Sequence, residues 1–410
     1  MKYNIIVGSL IAGLIACNGA GTPQEQNNSK PMNFGEDVSF LQKHLQNVVV
    51  LQRNGDSSGL VVTGDYQARV MTSTTGGSQG KSYGWINYDL IASGKLVPHI
   101  NAFGGEERFW LGPEGGQYAL YFPPGKPFNF DNWQTPALID TVHFAVKSQS
   151  DTEITYQQAG TLQNYKGTVF NIDINRTIRL LDNNTVAARL GFTLPPGLKQ
   201  VAYETENTVI NKGDSAWQEE NGLLSIWLLG MFKPSDQTAI IAPFKGITNA
   251  RQHITDDYFG KIPAKDLLVK DSMLLFRADG KSRGKLGLAP QVAKAGAGSV
   301  DLENNTITVL LYEIVPQGRY VNSKWEIQKE PFKGDAVNCY NDGPLADGSQ
   351  MGPFYEVESS SDARALKPGE SLTYRQVTMH FEGDHHALQT LAQQLWQLPL
   401  EEVQHFLSNK

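Results

Sequence analysis

The chain has 410 residues, of which 40% are hydrophobic and 19% charged, with 40 Gly and 20 Pro; this composition is typical of a folded, turn-rich protein and excludes a disordered chain or a coiled coil. The formal net charge of -7 comes from mixed signs without long blocks, so the chain lacks the basic stripe that nucleic acid would select, and we expect no nucleic-acid partner. The length allows two ordinary domains or one large all-β unit.

The N-terminus predicts an export signal followed by a tether. An apolar run over residues 5–16 is too short to span a bilayer as a mature helix, but it has the length of the apolar core of a signal peptide. Cys17 follows Leu-Ile-Ala at the end of this run, a pattern that resembles the lipobox of bacterial lipoproteins, in which the cysteine carries the lipid. The alternative is that Cys17 only ends an ordinary signal peptide. Residues 1–17 are therefore predicted to be a lipoprotein signal, and residues 18–33, rich in Gly, Pro, Gln, Asn and Ser, a flexible tether.

Lipid on Cys17 would anchor the protein in the bacterial cell envelope, with its fold in water and no other contact with the membrane. No acidic cluster of the kind that directs some lipoproteins to the cell surface follows Cys17. We therefore expect the protein to face the periplasm, and we also expect it to be a monomer. Cys339 would then be the remaining thiol, so an intramolecular disulfide cannot form, and we expect Cys339 to be buried and inert.

The rest of the chain predicts a large β unit after one short helix. Apolar residues at close to helical spacing predict that helix over residues 37–46. From there to about Phe381, short β-favouring runs alternate with turn signals, and residues 171–180 alternate polar and apolar side chains, which predicts a strand with one buried face. Further strands are predicted over residues 59–63, 185–193, 206–210, 223–229, 238–242, 273–278, 306–314 and 372–381.

Turns rather than amphipathic helices separate these runs, which favours antiparallel sheets packed face to face over a parallel βα fold. Residues 34–384 contain no linker-like break and are predicted to form one domain. Residues 385–410 carry apolar residues at helical spacing and are divided by Pro399, which predicts two short helices packed on the sandwich. The predicted fold class is mostly β, with a short N-terminal helix and C-terminal helices.

Three stretches are denser in glycine, aromatic and polar residues than a plain sandwich requires. In the first, residues 101–116, glycines would let the backbone approach a ligand closely. Trp110 could stack on the apolar face of a sugar, and Arg108 and Glu114 could bracket its hydroxyls. The alternative is a tight structural crossing with an internal Arg–Glu pair.

The second stretch covers residues 320–344. Trp325 offers a further stacking platform, and Asn341 and Asp342 follow near two aromatic residues. Their amide and carboxylate oxygens suit sugar hydroxyls or a cation. The alternative is that the Asn-Asp-Gly-Pro sequence serves only as a turn.

The third stretch centres on a predicted strand in which Glu356 and Glu358 point to one face, with Tyr355 and Val357 on the other. Two neighbouring carboxylates raise each other's pKa, which suits proton transfer. The alternative is a solvated face that happens to carry two acids. No cofactor is expected, although a divalent cation such as calcium could lie between these two glutamates and Asp342.

The sequence around Glu356 resembles the C-terminal part of aldose 1-epimerases. Glu356 is followed by Asp362-Ala363 and by Leu-x-Pro-Gly-Glu at residues 366–370, before a strand that ends in His380-Phe381. In that family the strand glutamate is the catalytic base, so the resemblance implies this role for Glu356. More broadly, residues 34–383 resemble the galactose mutarotase-like superfamily, a β-supersandwich that includes epimerases and carbohydrate-binding domains, and within it a group of Bacteroides-type lipoproteins.

Mutarotation also needs an acid that protonates the ring oxygen, and in the family this acid is a histidine. The family's Asn-His-x-Tyr-Phe-Asn motif is missing downstream of Asn211. His99, His143, His253 and His380 are left as candidate acids, but a lone histidine in a strand is more often a structural residue.

The sequence therefore favours a carbohydrate-binding lipoprotein that keeps a sugar pocket without turnover. One alternative is an active aldose 1-epimerase-like enzyme, with Glu356 as general base and Arg108 or a histidine as its partner. Another is a structural envelope protein without a ligand. Every hypothesis that involves a sugar assumes that one hollow on one sheet is lined by Arg108, Trp110, Trp325, Asn341 and Glu356. The predicted substrate-binding residues around the candidate catalytic Glu356 are Arg108, Trp110, Glu114, Trp325, Asn341, Asp342 and Glu358.

Overall fold

The structure, a computed structural model, describes residues 32–409, so the predicted signal peptide, Cys17 and residues 18–31 of the predicted tether lie outside the described residues. Within the described part of the chain, no helix is both long and apolar enough to cross a membrane. The helices are α1 Phe34–His44, α2 Tyr88–Ser93, α3 Asn183–Leu190, α4 His385–Trp396 and α5 Leu400–Ser408. The strands are β1 Val48–Gln52, β2 Gly59–Thr63, β3 Arg69–Thr74, β4 Arg108–Gly112, β5 Ala145–Gln149, β6 Glu153–Gln163, β7 Val169–Leu180, β8 Lys199–Asn211, β9 Ser225–Leu229, β10 Thr238–Pro243, β11 Ile254–Thr255, β12 Leu267–Val269, β13 Met273–Arg277, β14 Gly284–Leu288, β15 Gly296–Asp301, β16 Thr306–Tyr312, β17 Val337–Asn341, β18 Tyr355–Ser360 and β19 Ser371–Glu382.

The strands of residues 32–409 pair into three antiparallel sheets. A ten-stranded sheet has the order β12-β13-β10-β15-β16-β19-β8-β7-β6-β5, and a six-stranded sheet has the order β11-β14-β17-β18-β9-β4. A three-stranded sheet, β1-β2-β3, lies beside α1. The predicted fold class, mostly β with a short N-terminal helix and C-terminal helices, is confirmed.

The two large sheets pack face to face around the main hydrophobic core. Ile174 and Ile178 of β7 share this core with Phe109 and Val357 of the six-stranded sheet, and all four side chains are fully buried. Cys339 is also fully buried there, as predicted, and burial raises the pKa of its thiol. The opposite face of the ten-stranded sheet packs against α4 and α5 in a second core. The burial of apolar surface on both faces is the main favourable term in folding.

Helix caps explain two differences from the sequence-based expectation. The strand predicted over residues 185–193 is wrong, because most of it belongs to α3. The Asp182 side chain accepts a hydrogen bond from the Thr185 backbone N–H at 2.8 Å, which caps the first turn of this helix. Likewise α1 begins before the predicted residue 37, because Asn33 and Glu36 form a reciprocal capping box.

The six-stranded sheet turns one face toward the ten-stranded sheet and the other away from it. The Tyr355 hydroxyl lies 2.8 Å from Ser299 Oγ, and Ser359 Oγ donates to Gln376 Oε1 at 2.7 Å, so these side chains of β18 point between the sheets. Because side chains alternate along a strand, Glu356, Glu358 and Ser360 point the other way. We call this second side of the six-stranded sheet the outward face.

Candidate functional site

Strand register places several predicted site residues on the outward face. Arg108 and Trp110 of β4 lie opposite Leu229 and Trp227 of β9. Leu229 in turn lies opposite Glu358 of β18. Because directly paired residues share a face, Arg108, Trp110 and Glu358 all point outward. The prediction that Glu356 and Glu358 share one face is confirmed.

Arg108 and Glu356 form an ion pair on this face, and their side chains are only 2% and 7% exposed. The Arg108 guanidinium also lies 5.0 Å from the ring centroid of Trp110, within reach of a cation–π interaction. Burial raises the pKa of Glu356 to about 8, although Arg108 acts to lower it. A carboxyl group with this pKa can give up or take up a proton near neutral pH.

Glu358 holds a second charged pair beside the first. Its Oε2 accepts hydrogen bonds from Trp227 Nε1 at 2.9 Å and from Lys285 Nζ at 3.1 Å. Burial lowers the pKa of Lys285, but the carboxylates of Glu358, Glu114 and Glu356 outweigh burial and raise it above its usual value. Lys285 therefore stays charged and is a poor proton donor at neutral pH.

An aromatic ladder leads from this face to the surface. We define it as Trp227, Trp110, Tyr121, Trp133 and Trp325, whose successive ring centroids lie 5.5, 5.4, 6.0 and 6.0 Å apart. Trp227 is 6% exposed and Trp325 is 37% exposed, so the ladder runs from a buried floor to solvent. Aromatic rings with an edge N–H or O–H suit a ligand that has both apolar C–H faces and hydroxyls.

Glu114 joins the ladder to the charged pairs. Its Oε1 accepts a hydrogen bond from Trp325 Nε1 at 3.1 Å. Burial raises the pKa of Glu114, while Lys285 acts to lower it. Glu114 and Trp325, which are far apart in sequence, therefore meet in space close to the charged group formed around Lys285.

Three buried donors on this face lack a partner. Arg108 Nε, Trp110 Nε1 and Ser225 Oγ have no hydrogen-bond partner among residues 32–409. Ser225 lies opposite Gly112 in the same pair of strands as Arg108 and Trp110, so the three groups lie along one edge of the sheet. An unsatisfied buried polar group costs about 1–3 kcal/mol and therefore requires an explanation. A ligand rich in oxygen atoms would satisfy all three if it displaced the groups that cover them.

The structure separates the two neighbours Asn341 and Asp342. Asp342 accepts hydrogen bonds from the Tyr340 hydroxyl at 2.5 Å and from the Gly352 N–H at 3.1 Å, and burial raises its pKa. The Asn341 side chain instead donates to the backbone oxygen of Ser282 at 2.9 Å and is fully buried. Asn341 thus stabilises a turn and is not brought together with the other predicted residues, because adjacent residues of a strand point to opposite faces.

The possible cation site between Glu356, Glu358 and Asp342 does not form. In residues 32–409, no three His, Cys, Asp or Glu side chains gather in a way that could hold a metal ion. The three carboxylates bind protein partners instead, among them Arg108 and Lys285. Their oxygens therefore do not converge as the ligands of calcium would.

None of the four candidate acids lies in a strand that forms the outward face, although His253 directly precedes β11 and His99 Nδ1 lies 2.7 Å from the backbone oxygen of Trp133. His380 belongs to β19 in the ten-stranded sheet, where it is fully buried and its Nε2 lies 3.1 Å from Glu106 Oε2. His99, His143 and His253 lie in the connections between strands. Within the described residues, no histidine belongs to a strand of the six-stranded sheet.

Trp227, Lys285 and Asp335 are site residues that the sequence analysis missed. The Asp335 carboxylate lies over Gly287 of β14, where an added Cβ would come 2.0 Å from one of its oxygens. Burial raises the pKa of Asp335 to about 6. A signal existed for the first two, because each is a single tryptophan or lysine in a short, otherwise apolar run. Asp335 lies in a loop and gave no such signal.

Comparisons with known proteins identify a family. A family model described as a family of unknown function (DUF6786) matches residues 32–407. A search of curated proteins finds no match. Similar solved structures include the Slr1438 protein from Synechocystis sp. PCC 6803, with 11% identity over 82% of this chain and 96% of that one at a TM-score of 0.49.

Two further similar structures come from lactobacilli. A galactose mutarotase-like protein from Lactobacillus casei ATCC 334 has 13% identity over 82% of this chain and 100% of that one, at a TM-score of 0.47. A galactose mutarotase related enzyme from Lactobacillus acidophilus has 11% identity over 81% of this chain and 97% of that one, at a TM-score of 0.45. These likenesses concern the fold, and the chemistry of this chain depends on its own site residues.

Proposed function

We propose that this chain, which belongs to the family of unknown function DUF6786, binds a carbohydrate on the outward face of its six-stranded sheet without converting it. The observation that carries the proposal is the meeting of the aromatic ladder with two buried charged pairs, Arg108–Glu356 and Lys285–Glu358. Flat aromatic rings match the apolar faces of a sugar, and fixed polar and charged groups match its hydroxyls.

The unpaired donors support the same function. A sugar hydroxyl has lone pairs that can accept from Arg108 Nε, Trp110 Nε1 and Ser225 Oγ, which lie on one edge of the outward face. The strands hold these groups in place, so a ligand must displace only the groups that cover them and need not order the donors themselves. A ligand that accepts these hydrogen bonds would recover free energy that the unliganded site forgoes.

Binding without turnover is favoured by the groups available for proton transfer. Anomer interconversion needs both a base and an acid near the ring oxygen. Glu356 can act as the base, but Lys285, the cation closest to it besides Arg108 in this network, has a raised pKa and releases its proton poorly. The candidate histidines lie outside the strands of this face.

The proposal predicts that Trp110→Phe weakens sugar binding, because this change keeps the apolar ring but removes the Nε1–H. We expect about a two- to tenfold loss of affinity, which corresponds to one lost hydrogen bond. The ligand is first identified on a glycan array and then titrated by calorimetry. Trp217→Phe is the matched control, since Trp217 is a buried tryptophan that packs on Phe170 in the core. Equal affinities for the wild type and Trp110→Phe, or no sugar bound at all, would contradict the proposal.

A second candidate, an aldose 1-epimerase-like enzyme, is favoured by the raised pKa of Glu356. Proton NMR of freshly dissolved single anomers of common hexoses measures the interconversion directly. Under the proposal of binding alone, the wild type adds nothing to the buffer rate. A faster rate that Glu356→Gln abolishes would instead establish the enzyme.

We further propose that the protein is held in the bacterial envelope by lipid on Cys17, as in Bacteroides-type lipoproteins. Support comes from the apolar run over residues 5–16 and the Leu-Ile-Ala sequence before this cysteine. Expression of Cys17→Ser in a bacterial host should move the protein from the membrane to the soluble fraction. An unchanged membrane fraction would exclude the anchor.

A further inference from the structure

A cavity of about 860 Å³ opens beside the outward face. Its walls come from five segments, residues 219–220, 252–255, 289–291, 316–319 and 330–335, together with Tyr118. Pockets for drug-sized ligands have volumes of about 300–1,000 Å³. This cavity is therefore larger than one sugar ring needs.

The floor of the cavity reaches the proposed sugar site. Asp335 lines the cavity, and its carboxylate lies over Gly287 of β14. Gly287 lies opposite Asn338, and Asn338 lies opposite Glu358, so one row of the sheet leads from the cavity to the charged pairs. The Lys285 ammonium, which is paired with Glu358, also acts to lower the pKa of Asp335. The two sites are thus parts of one surface.

Two loop segments, residues 114–118 and 325–332, run side by side from the aromatic ladder to the cavity. At the ladder end, Trp325 donates a hydrogen bond to Glu114. In the middle, Gln117 and Gln328 exchange hydrogen bonds of 2.9 and 3.0 Å. At the cavity end, the ring of Tyr118 stacks on Phe332 with centroids 5.8 Å apart and an interplanar angle of 18°. A chain of sugars that follows this wall would meet a second aromatic surface at the cavity.

The charges of the cavity select against acidic ligands. Arg319 is paired with Glu219 at 2.5 Å, and Lys333 is paired with Glu330 at 3.2 Å, so both cations are already neutralised. Glu220 and Asp335 are not balanced by a cation of the lining. The resulting negative potential would repel a uronic acid or a sulfated sugar. The charged residues of the lining are Glu219, Glu220, Arg319, Glu330, Lys333 and Asp335.

We propose that this cavity holds the further units of a neutral oligosaccharide whose first unit binds on the outward face. The inference rests on the proposed function, and it identifies the ligand as a chain of uncharged sugars rather than a free monosaccharide. Tyr118 and Phe332 supply the stacking surface for the later units. Asp335 supplies a hydrogen-bonding group where the two parts of the site meet.

The test uses calorimetric titration of the purified protein with neutral gluco-, galacto-, manno- and xylo-oligosaccharides of increasing length, beginning with the monosaccharides. For the wild type, affinity should rise with length in at least one series. Phe332→Ala should weaken binding of the longer members about fivefold or more, with little effect on the monosaccharide. Gln291→Trp is a second variant that should fold normally, because Gln291 is an exposed cavity residue; its added ring should block the longer members only.

The outcomes separate this inference from the proposed function. If affinity does not depend on length and both cavity variants bind like the wild type, the inference is overturned, even if Trp110→Phe still loses affinity. If the cavity variants lose affinity but Trp110→Phe does not, the cavity binds sugar and the proposed site on the outward face is wrong. Tighter binding of oligogalacturonate than of the neutral series would overturn the assignment of a neutral ligand. If no sugar binds, both proposals fail.

Discussion

Arg108→Met is expected to lower the free energy of unfolding by about 3–5 kcal/mol at pH 9, with a smaller loss at pH 6. The large loss arises because the variant leaves the buried Glu356 without its counter-charge, so that ionisation of this carboxyl group at pH 9 is strongly opposed. Burial holds the folded pKa of Glu356 at about 8, above its ordinary value of 4.5. The folded protein therefore binds more protons than the unfolded chain between these values, and the wild type itself loses stability as pH rises through this range.

The size of the Arg108→Met effect should follow the ionisation of Glu356. Below the folded pKa, the carboxyl group is neutral in both proteins, so the variant loses only hydrogen bonding and the contact with Trp110. Above this pKa, Glu356 of the wild type ionises beside the Arg108 guanidinium. In the variant, ionisation of Glu356 has no counter-charge and is opposed by burial. Urea unfolding at several pH values measures the difference. Arg375→Met, which breaks the more exposed pair with Glu206, should cost under about 1 kcal/mol without this trend.

The double variant Arg108→Met/Glu356→Gln distinguishes the ion pair from simple loss of packing. It has no carboxyl group to ionise at this position, so the extra loss at high pH should disappear. Its total loss should also be smaller than the sum of the two single losses, because neither partner is left charged and alone. A loss that is equal at pH 6 and pH 9, or additive losses, would show that Glu356 does not carry a charge that depends on Arg108.

Local patterns were sufficient to predict most of the fold. The alternation over residues 171–180 predicted a strand with one buried face, and β7 has this arrangement. The strand predicted over residues 185–193 failed because capping by Asp182 outweighed the β-favouring side chains that follow. Strand order could not be predicted, since pairings such as β4 with β9 join residues more than a hundred positions apart. These pairings are what create the outward face.

Site residues could be predicted only where strand alternation or local chemistry fixes the face of the sheet to which a side chain points. Glu356 and Glu358 were placed on one face by the period of two alone. Asn341 was predicted to bind with Asp342 because both lie near two aromatic residues and have oxygens that suit sugar hydroxyls, yet the same alternation turns Asn341 inward. Lys285 was missed because its role depends on its ion pair with Glu358. The two residues meet only because β14, β17 and β18 pair side by side in the sheet. The partners of a side chain across strands are not encoded in its own sequence neighbourhood.

A second large effect is expected between the sheets, where Arg176→Met should lower the free energy of unfolding by about 3–5 kcal/mol. Arg176 of β7 donates to Glu107 Oε1 at 2.8 Å and to the backbone oxygen of Ala68 at 2.8 Å, and it also donates to Asn207. Both Arg176 and Glu107 are fully buried. Without the guanidinium, Glu107 keeps a hydrogen bond from Gln376 Nε2 at 2.8 Å but has no counter-charge. Urea unfolding at neutral pH measures the loss.

Arg375→Met is the matched control, since its pair with Glu206 is 47% and 28% exposed and should contribute under about 1 kcal/mol. Equal losses for the two variants would contradict the burial argument.

The two buried arginine pairs should also differ in function. Arg176 and Glu107 lie between the sheets, so the folded fraction of Arg176→Met should bind sugar like the wild type. Arg108 and Glu356 lie on the outward face, so their loss should reduce stability and binding together. If folded Arg176→Met bound sugar more weakly than the wild type, binding would depend on residues between the sheets, contrary to the proposed site.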